Sequence, residues 1–248
     1  MKGIGNMKNN KLFIIITGAI IGLVAVLLVK FGNPANMGFC IACFIRDTAG
    51  ALKLHSAPIV QYIRPEIIGL VLGAAVMAFS KKELIARSGS NPLVRFVLGF
   101  FVMVGALMFL GCPLRMMLRI GGGDLNAIVG LVGFVGGILL GILALNKGFS
   151  LNRSYKVSNA ESYVFPVIQI IFLVLLVGVP SVLVFSQEGP GSMHAPVIIA
   201  LAAGLLVGAL AQRTRFCTVA GIRDSIMFKD FSMLYGFIVL IVVTIVVN

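Results

Sequence analysis

Cysteine, arginine and aspartate recur together at two places in this chain. Residues 39–47 and 216–224 both read F-C-x4-I-R-D, with five of the nine positions identical and no gap. The residues shared by the two copies that can take part in chemistry are Cys40, Arg46 and Asp47, and Cys217, Arg223 and Asp224. An arginine offers several donors to an anion, although each neighbouring Arg–Asp pair also fits an ion pair that closes a helix end. A duplicated site of this kind is typical of transporters.

A third cysteine lies in a different motif, residues 111–124, which read G-C-P-L-R-M-M-L-R-I-G-G-G-D. Cys112 is followed by Arg115 and Arg119, which are four residues apart and therefore share one helix face. These two side chains are expected either to attract an anion or to snorkel to the membrane interface. The three glycines permit a sharp reversal or the close approach of a ligand, and Asp124 is predicted to cap the next helix.

The thiols allow three interpretations. A lone cysteine in a membrane is commonly a small apolar packing residue, and Cys40-x2-Cys43 also has the spacing of a redox dithiol. Alternatively, soft S–H groups line a path for an anion that carries a terminal sulfur. The second copy has Ala220 where the first has Cys43, so the duplication kept one thiol and weighs against the dithiol. No Cys- or His-rich cluster has metal-ligand spacing, and we expect neither a metal nor another cofactor.

The composition places these motifs in a membrane. Of 248 residues, 59% are hydrophobic and only 11% are charged, too few charges to cover the surface of a soluble domain. The net charge of +12 comes mainly from short loops between apolar runs, which indicates membrane orientation rather than nucleic-acid binding.

Hydropathy and length predict an all-α polytopic membrane protein. Full spans are expected at seven segments: 12–29, 65–80, 93–111, 124–145, 164–185, 196–212 and 232–247. Three shorter segments carry Cys and Arg and are too short or too charged to cross alone: 38–54, 112–121 and 216–230. We expect these to be re-entrant or broken helices, which are tolerated when protein or a wet cavity surrounds them.

The distribution of basic residues predicts the orientation. Lys and Arg concentrate in the N-terminal segment and in the loops 81–95 and 147–156, whereas the 186–195 loop has neither. The first three therefore belong in the cytoplasm, and Cys40 and Cys217 are then approached from opposite faces. This predicts an inverted-topology repeat with halves 1–150 and 151–248, of which the second is incomplete because no second G-C-P-L-R follows.

At these motifs the chain resembles the YeeE/YedE family of sulfur-compound transporters and is most similar to the YedE-like branch assigned to selenium transport. GFCIACFIRD at 38–47, GCPLRMMLRIGGGD at 111–124 and RFCTVAGIRD at 215–224 carry the resemblance, which extends over nearly the whole chain. It implies an inner-membrane protein that passes thiosulfate or a related anion between cysteines. The implied path residues are Cys40, Cys112 and Cys217 with Arg46, Arg115 and Arg223, and the secondary residues are Cys43, Asp47, Asp224, Gly111, Pro113 and Gly122.

The sequence therefore predicts a multi-pass inner-membrane importer of a sulfur- or selenium-containing anion and not an enzyme. Its partners are the small anion, the lipid bilayer and no nucleic acid. The alternatives are a membrane thiol oxidoreductase that uses Cys40 and Cys43, and a partial transporter. In the latter, a partner protein completes the second half or accepts sulfur in the cytoplasm. The chain has no ATP-binding motif, so we do not expect it to use ATP directly.

Overall fold

The computed structural model describes residues 2–83, 86–89, 91–150, 155–158 and 160–248, with side chains from residue 10 onward. The basic segments 81–95 and 147–156 therefore lie partly outside the described residues. The side chains of residues 2–9 lie outside them. Within the described ranges the chain forms ten α-helices. They are α1 (Lys2–Lys30), α2 (Ile41–Ala51), α3 (Pro65–Ser80), α4 (Pro92–Met108), α5 (Pro113–Gly121), α6 (Asn126–Asn146), α7 (Ala160–Gly178), α8 (Val197–Thr214), α9 (Thr218–Met227) and α10 (Ser232–Val247).

The chain is mostly helical, and five of its segments are long and apolar enough to cross a membrane. These are Asn10–Lys30, Pro92–Gly121, Asn126–Asn146, Ala160–Gly178 and Val197–Met227. The α3 and α10 helices are also apolar but have only sixteen residues each. Helices also occupy the three segments that the sequence predicted to be short, at α2, α5 and α9. The all-α membrane class is thus confirmed.

Two basic loops meet in the only regular pairing of strands among the described residues. Strands β1 (Arg87–Ser88) and β2 (Tyr155–Lys156) run antiparallel, with Arg87 opposite Lys156. The loops 81–95 and 147–156 therefore lie on the same side of the molecule, as the distribution of basic residues requires.

The end of the fifth predicted span differs from the structure. The sequence predicted an apolar helix to residue 185, but α7 ends at Gly178 and a short 3₁₀ turn follows over Pro180–Val182. Pro180 has no N–H to continue the helix and disfavours helical backbone at the residue before it. The released segment instead bonds to extended chain, since Ser186 N donates to Gln61 O at 2.9 Å.

Close pairs of helices form the centre of the molecule. The α3 and α8 helices pack most extensively, followed by α1 and α10. Small residues permit both approaches: a Cβ on Gly69 or Gly73 of α3 would overlap the α8 backbone, and one on Gly18 of α1 would overlap that of Gly236. A core of buried apolar residues joins α1, α5, α8 and α10.

Each short helix begins at a cysteine. Cys40, Cys112 and Cys217 are the N-cap residues of α2, α5 and α9. The breaks between α4 and α5 and between α8 and α9 lie at left-handed residues, Leu110 (φ 58°) and Arg215 (φ 54°), each two positions before its cysteine. A non-glycine residue in this conformation costs about 1–2 kcal/mol. The strain accompanies a sharp turn that places the cysteine at a helix N-terminus.

Candidate functional site

Three of the four cysteines form one buried cluster. Cys40, Cys43 and Cys112 are 0%, 2% and 8% exposed and pack together with Met37 and Phe44. All three belong to one group of buried residues, which joins the start of α2 to the start of α5. The sequence predicted Cys40 and Cys112 as path residues and Cys43 as secondary, and the structure brings all three together.

The N-termini of two helices face this thiol cluster, which comprises Cys40, Cys43 and Cys112. Cys40 precedes α2 and Cys112 precedes α5, so the free N–H groups of both first turns lie beside the sulfurs. Ile41 and Ala42, the first residues of α2, line the same cavity as Cys112. Aligned helix dipoles favour negative charge at such ends. The cluster is therefore a place where an anion with a soft sulfur atom would be stabilised.

Arg115 adds a guanidinium to the cluster. Its Nη1 lies 3.1 Å from the Cys43 sulfur and also donates to the Leu110 carbonyl. Gly111 makes this possible, since a Cβ at that position would lie 2.7 Å from the Arg115 Cδ. Among the described residues Arg115 has no carboxylate partner, and its buried Nε has no hydrogen-bond partner. Arg115 thus contributes a positive charge that no acidic side chain offsets.

A buried ion network lies on the other side of Phe44. Asp47 Oδ1 accepts from Arg46 Nη2 at 2.7 Å, and Asp47 Oδ2 accepts from Arg64 Nε at 3.0 Å. Arg64 is fully buried, and its guanidinium lies 5.0 Å from the centre of the Phe44 ring. Arg46 is thus paired rather than free, but two guanidinium groups share one carboxylate beside the thiol cluster.

The second copy of the motif is placed differently. Cys217 is exposed and is not part of the thiol cluster. Its neighbour Phe216 points inward instead, with its ring 4.5 Å from that of Phe237. Arg223 and Asp224 form the same neighbouring pair as in the first copy, at 2.8 Å, but the side chains are 43% and 30% exposed. No third charge joins them among the described residues.

Two neighbouring cavities form a groove along α6. One cavity of about 660 Å³ lies among α2, α4, α5 and α6, and Cys112 forms part of its otherwise largely apolar wall. A second cavity of about 650 Å³ lies beside α6 and α9, with Arg223 in its wall. Gly133 and Phe134 line both cavities, so the groove runs from Cys112 towards Arg223.

Arg119 serves a different role from Arg115, although both extend from α5. Arg119 pairs with Asp124 at 2.7 Å and covers the Phe109 ring at 4.8 Å. Asp124 Oδ1 also accepts from Asn126 N, the first amide of α6, at 3.0 Å, but the N-cap residue is Leu125 and not Asp124 as predicted. The guanidinium holds the pKa of Asp124 below its usual range. Arg119 and Asp124 therefore close the α5–α6 turn.

The secondary motif residues shape the turns around the cluster. Pro113 is the first residue of α5, where its missing N–H is harmless. A Cβ on Gly122 would overlap the Asn36 side chain, so Gly122 permits a close approach to the loop before α2. These residues shape the turns that position the cluster.

Arg64 and Glu66 were not among the site residues that the sequence predicted. Both side chains are fully buried, and they flank Pro65 at the start of α3. The sequence did contain a signal for a functional position here, namely two charged residues beside a proline that begins an apolar helix. Charges are costly in a membrane unless they are paired or functional.

No family model, no curated protein and no solved structure matches this chain. Within the described ranges no group of three or more His, Cys, Asp or Glu side chains is arranged to hold a metal ion. The site therefore has to be interpreted from its own thiols, amides and guanidinium.

Proposed function

We propose that the chain is a multi-pass inner-membrane transporter that imports a thiosulfate-like anion of sulfur or selenium. One observation carries the proposal: three thiols converge at two helix N-termini, beside the Arg115 guanidinium, which has no carboxylate partner among the described residues. This combination suits an anion with oxygens at one end and a soft chalcogen atom at the other. Membership of the YeeE/YedE family belongs to the same proposal.

In this proposal the anion passes from one thiol to the next through non-covalent contacts. A thiol is a weak donor that suits a large, polarizable sulfur or selenium atom, whereas guanidinium and amide N–H groups suit charged oxygens. The anion binds with its soft atom at the Cys112 and Cys40 thiols and its oxygens towards the helix N-termini. No bond to the protein forms or breaks.

The proposed topology has seven crossings with a cytoplasmic N-terminus, and α2, α5 and α9 as short internal helices. Helix packing supports an inverted repeat. The two most extensive helix pairs are α3–α8 and α1–α10. If α1 corresponds to α8 and α3 to α10, then the repeat relates these two pairs to each other. The equivalence matches the motif duplication, because α2 follows α1 and α9 follows α8 with the same F-C-x4-I-R-D string.

The proposed route follows the α6 groove from Cys112 to Arg223 and Cys217. Cys217, at the start of α9, takes the anion as the last thiol before the cytoplasm. Its exposure fits a release position rather than a binding position.

Uptake of labelled thiosulfate by cells that express the chain tests the transport function. Cys112→Ala is expected to abolish uptake, and competition with selenium analogues defines the substrate class. Met117→Leu is the matched control, since Met117 is buried in the same helix but faces the central core, and the swap conserves volume. Unchanged uptake in the Cys40, Cys112 and Cys217 variants would refute the proposal.

A membrane thiol oxidoreductase is the second candidate, and one observation favours it. Cys40 and Cys43 lie three residues apart at the start of α2 and are buried in the same cluster. Thiol trapping after mild oxidation distinguishes the functions. An oxidoreductase forms the Cys40–Cys43 disulfide reversibly, and failure of the two to pair excludes it.

A partial transporter that needs a partner chain is the third candidate. The described α4 helix has no buried residue, and space is open beside Gly133, Gly137 and Gly141 of α6. Glycines at this spacing are typical of membrane helix contacts. Uptake that requires co-expression of a second chain favours this candidate, whereas uptake by the purified chain alone excludes it.

A further inference from the structure

We propose that Glu66 is a proton-binding site that couples proton entry to uptake of the anion. This inference rests on the proposed transport function. It begins from the burial of Glu66, which is 0% exposed in the first turn of α3. An ionisable side chain within a membrane protein is costly and marks a functional position by default.

The hydrogen bonds of Glu66 show where a proton can bind. Asn33 Oδ1 accepts from the Ala195 backbone N–H at 2.8 Å, which fixes the orientation of the Asn33 amide. Asn33 Nδ2 then donates to Glu66 Oε1 at 2.7 Å. Glu66 Oε2 is buried and has no hydrogen-bond partner among the described residues. Oε2 is therefore the atom that carries the proton, because a bare anionic oxygen is costly in such a place.

Several titratable or charged groups surround Glu66. Arg64 and Tyr62 precede it in the extended chain, and His194 lies in the segment before α8, next to the Ala195 amide that bonds Asn33. Arg64 is engaged by Asp47 and by the carbonyls of Met193 and Pro190, so it leaves Oε2 unpaired. His194 is exposed and its ring stacks on that of Tyr62 at 4.3 Å.

The charge of Glu66 is coupled to the thiol cluster. With Glu66 protonated, the group of Arg46, Arg64, Asp47 and Glu66 carries one net positive charge; with Glu66 ionised it is neutral. Phe44 packs with the thiol cluster and lies against Arg64. Ile67, next to Glu66, also packs against the residues of the cluster. An anion at the thiols therefore favours a proton on Glu66, and the proton favours the anion.

Such coupling meets a physical need of the proposed function. The inside-negative membrane potential opposes the entry of a dianion. Protons that enter with the anion offset its charge and supply a driving force. Glu66 is placed to bind one of them.

Proteoliposomes that contain the full chain, with a pH-sensitive dye in the lumen and labelled thiosulfate outside, test the inference. Wild type is expected to acidify the lumen as thiosulfate enters. Each coupled proton raises the accumulation ratio about tenfold per unit of inward pH gradient. Glu66→Gln resembles the protonated acid in shape and charge, so it is expected to lose both the acidification and the response to the gradient.

Glu188→Gln is the matched control, because Glu188 is an exposed carboxylate in the segment between α7 and α8. It is expected to behave as wild type. Thiosulfate uptake by wild type without lumenal acidification overturns the inference and leaves transport standing. A response of Glu66→Gln to the pH gradient that equals the response of wild type also overturns the inference and leaves transport standing. Absence of wild-type uptake under every gradient refutes the transport function, and the coupling with it.

Infrared spectroscopy keeps the inference testable if Glu66→Gln does not fold. The pH-difference spectrum of the wild-type protein is expected to show the carbonyl stretch of a protonated, buried carboxylic acid, shifted in Glu66→Asp. A spectrum without that band overturns the inference.

Discussion

At the scale of single residues, the site depends on which arginine has no aspartate partner among the described residues. Arg46, Arg119 and Arg223 each bind an aspartate, whereas Arg115 meets a thiol and a carbonyl. The sequence could place Arg115 and Arg119 on one helix face but could not tell their roles apart. The difference comes from Gly111, which lets Arg115 fold back, and from Asp124, which lies within reach of Arg119 only.

Exchange of Arg115 for glutamine is expected to lower the affinity for thiosulfate. A hydrogen bond to a charged group contributes about 1.5–3 kcal/mol, and its loss corresponds to roughly a 10- to 100-fold weaker affinity. Arg119→Gln is the control on the same helix and is expected to leave the affinity near that of wild type. Concentration dependence of uptake measures both, and equal affinities in the two variants contradict the assignment.

Asp230 makes stability depend on pH at the start of α10. Its Oδ1 accepts from the Ser232 backbone N–H at 3.0 Å and from the Ser232 hydroxyl at 2.6 Å, which lowers the pKa of Asp230. Since the pKa is lower in the folded state, this stabilisation is present above the unfolded value of about 3.9 and is lost as pH falls through the folded pKa.

Asp230→Ala is therefore expected to destabilise the protein by about 1 kcal/mol at neutral pH, as for loss of a helix cap. Asp230→Asn keeps the side-chain oxygen that accepts the hydrogen bonds, so it is expected to have nearly the stability of wild type at neutral pH. Thermal unfolding in detergent over a pH series measures both. A difference between wild type and Asp230→Ala that grows as the pH falls below about 4 contradicts the account.

At the scale of helices, the sequence predicted which segments form helices better than how they pair. Apolar runs and cysteine motifs located the ten helices of the described residues, including the five segments that are long and apolar enough to cross a membrane, because hydropathy and length are local properties. The α3–α8 and α1–α10 pairs were not predicted, since any of several glycine-bearing faces could meet. The buried extended chain at residues 60–64 was also missed, because several of its partners, such as Ser186, lie more than a hundred residues later.

Two glycine substitutions are expected to differ in their effect on stability. Gly73→Val places a side chain against the Leu205 backbone of α8 and is expected to cost about 3 kcal/mol or more. Gly137→Val on α6 meets open space and is expected to fold as wild type. Thermal unfolding and monodispersity in detergent compare the two. Equal stability of the variants contradicts the importance of the α3–α8 approach.

At the scale of the whole molecule, the four cysteines fall into two classes. Three are buried together and one, Cys217, is exposed on the short helix of the second motif copy. The sequence predicted the residues of both groups, but a shared string could not show that Phe216 rather than Cys217 turns inward. The two copies have the same residues in different surroundings, as expected if they act at successive positions of one route.

Cysteine labelling tests this division and the proposed orientation together. A membrane-impermeant maleimide is expected to modify one cysteine of the wild-type protein rapidly, and Cys217→Ser is expected to abolish that modification. Labelling is expected in inside-out vesicles and not in intact cells. Rapid modification of Cys40 or Cys112, or equal labelling from both sides, contradicts the arrangement.

The most direct test of the account is uptake of labelled thiosulfate into proteoliposomes that contain this chain alone. We predict saturable uptake by the wild-type protein, retained in Met117→Leu and reduced to the level of empty liposomes in Cys112→Ala. Wild-type uptake no greater than that of empty liposomes, or uptake by Cys112→Ala equal to that of wild type, would contradict the claim that the thiol cluster carries the anion.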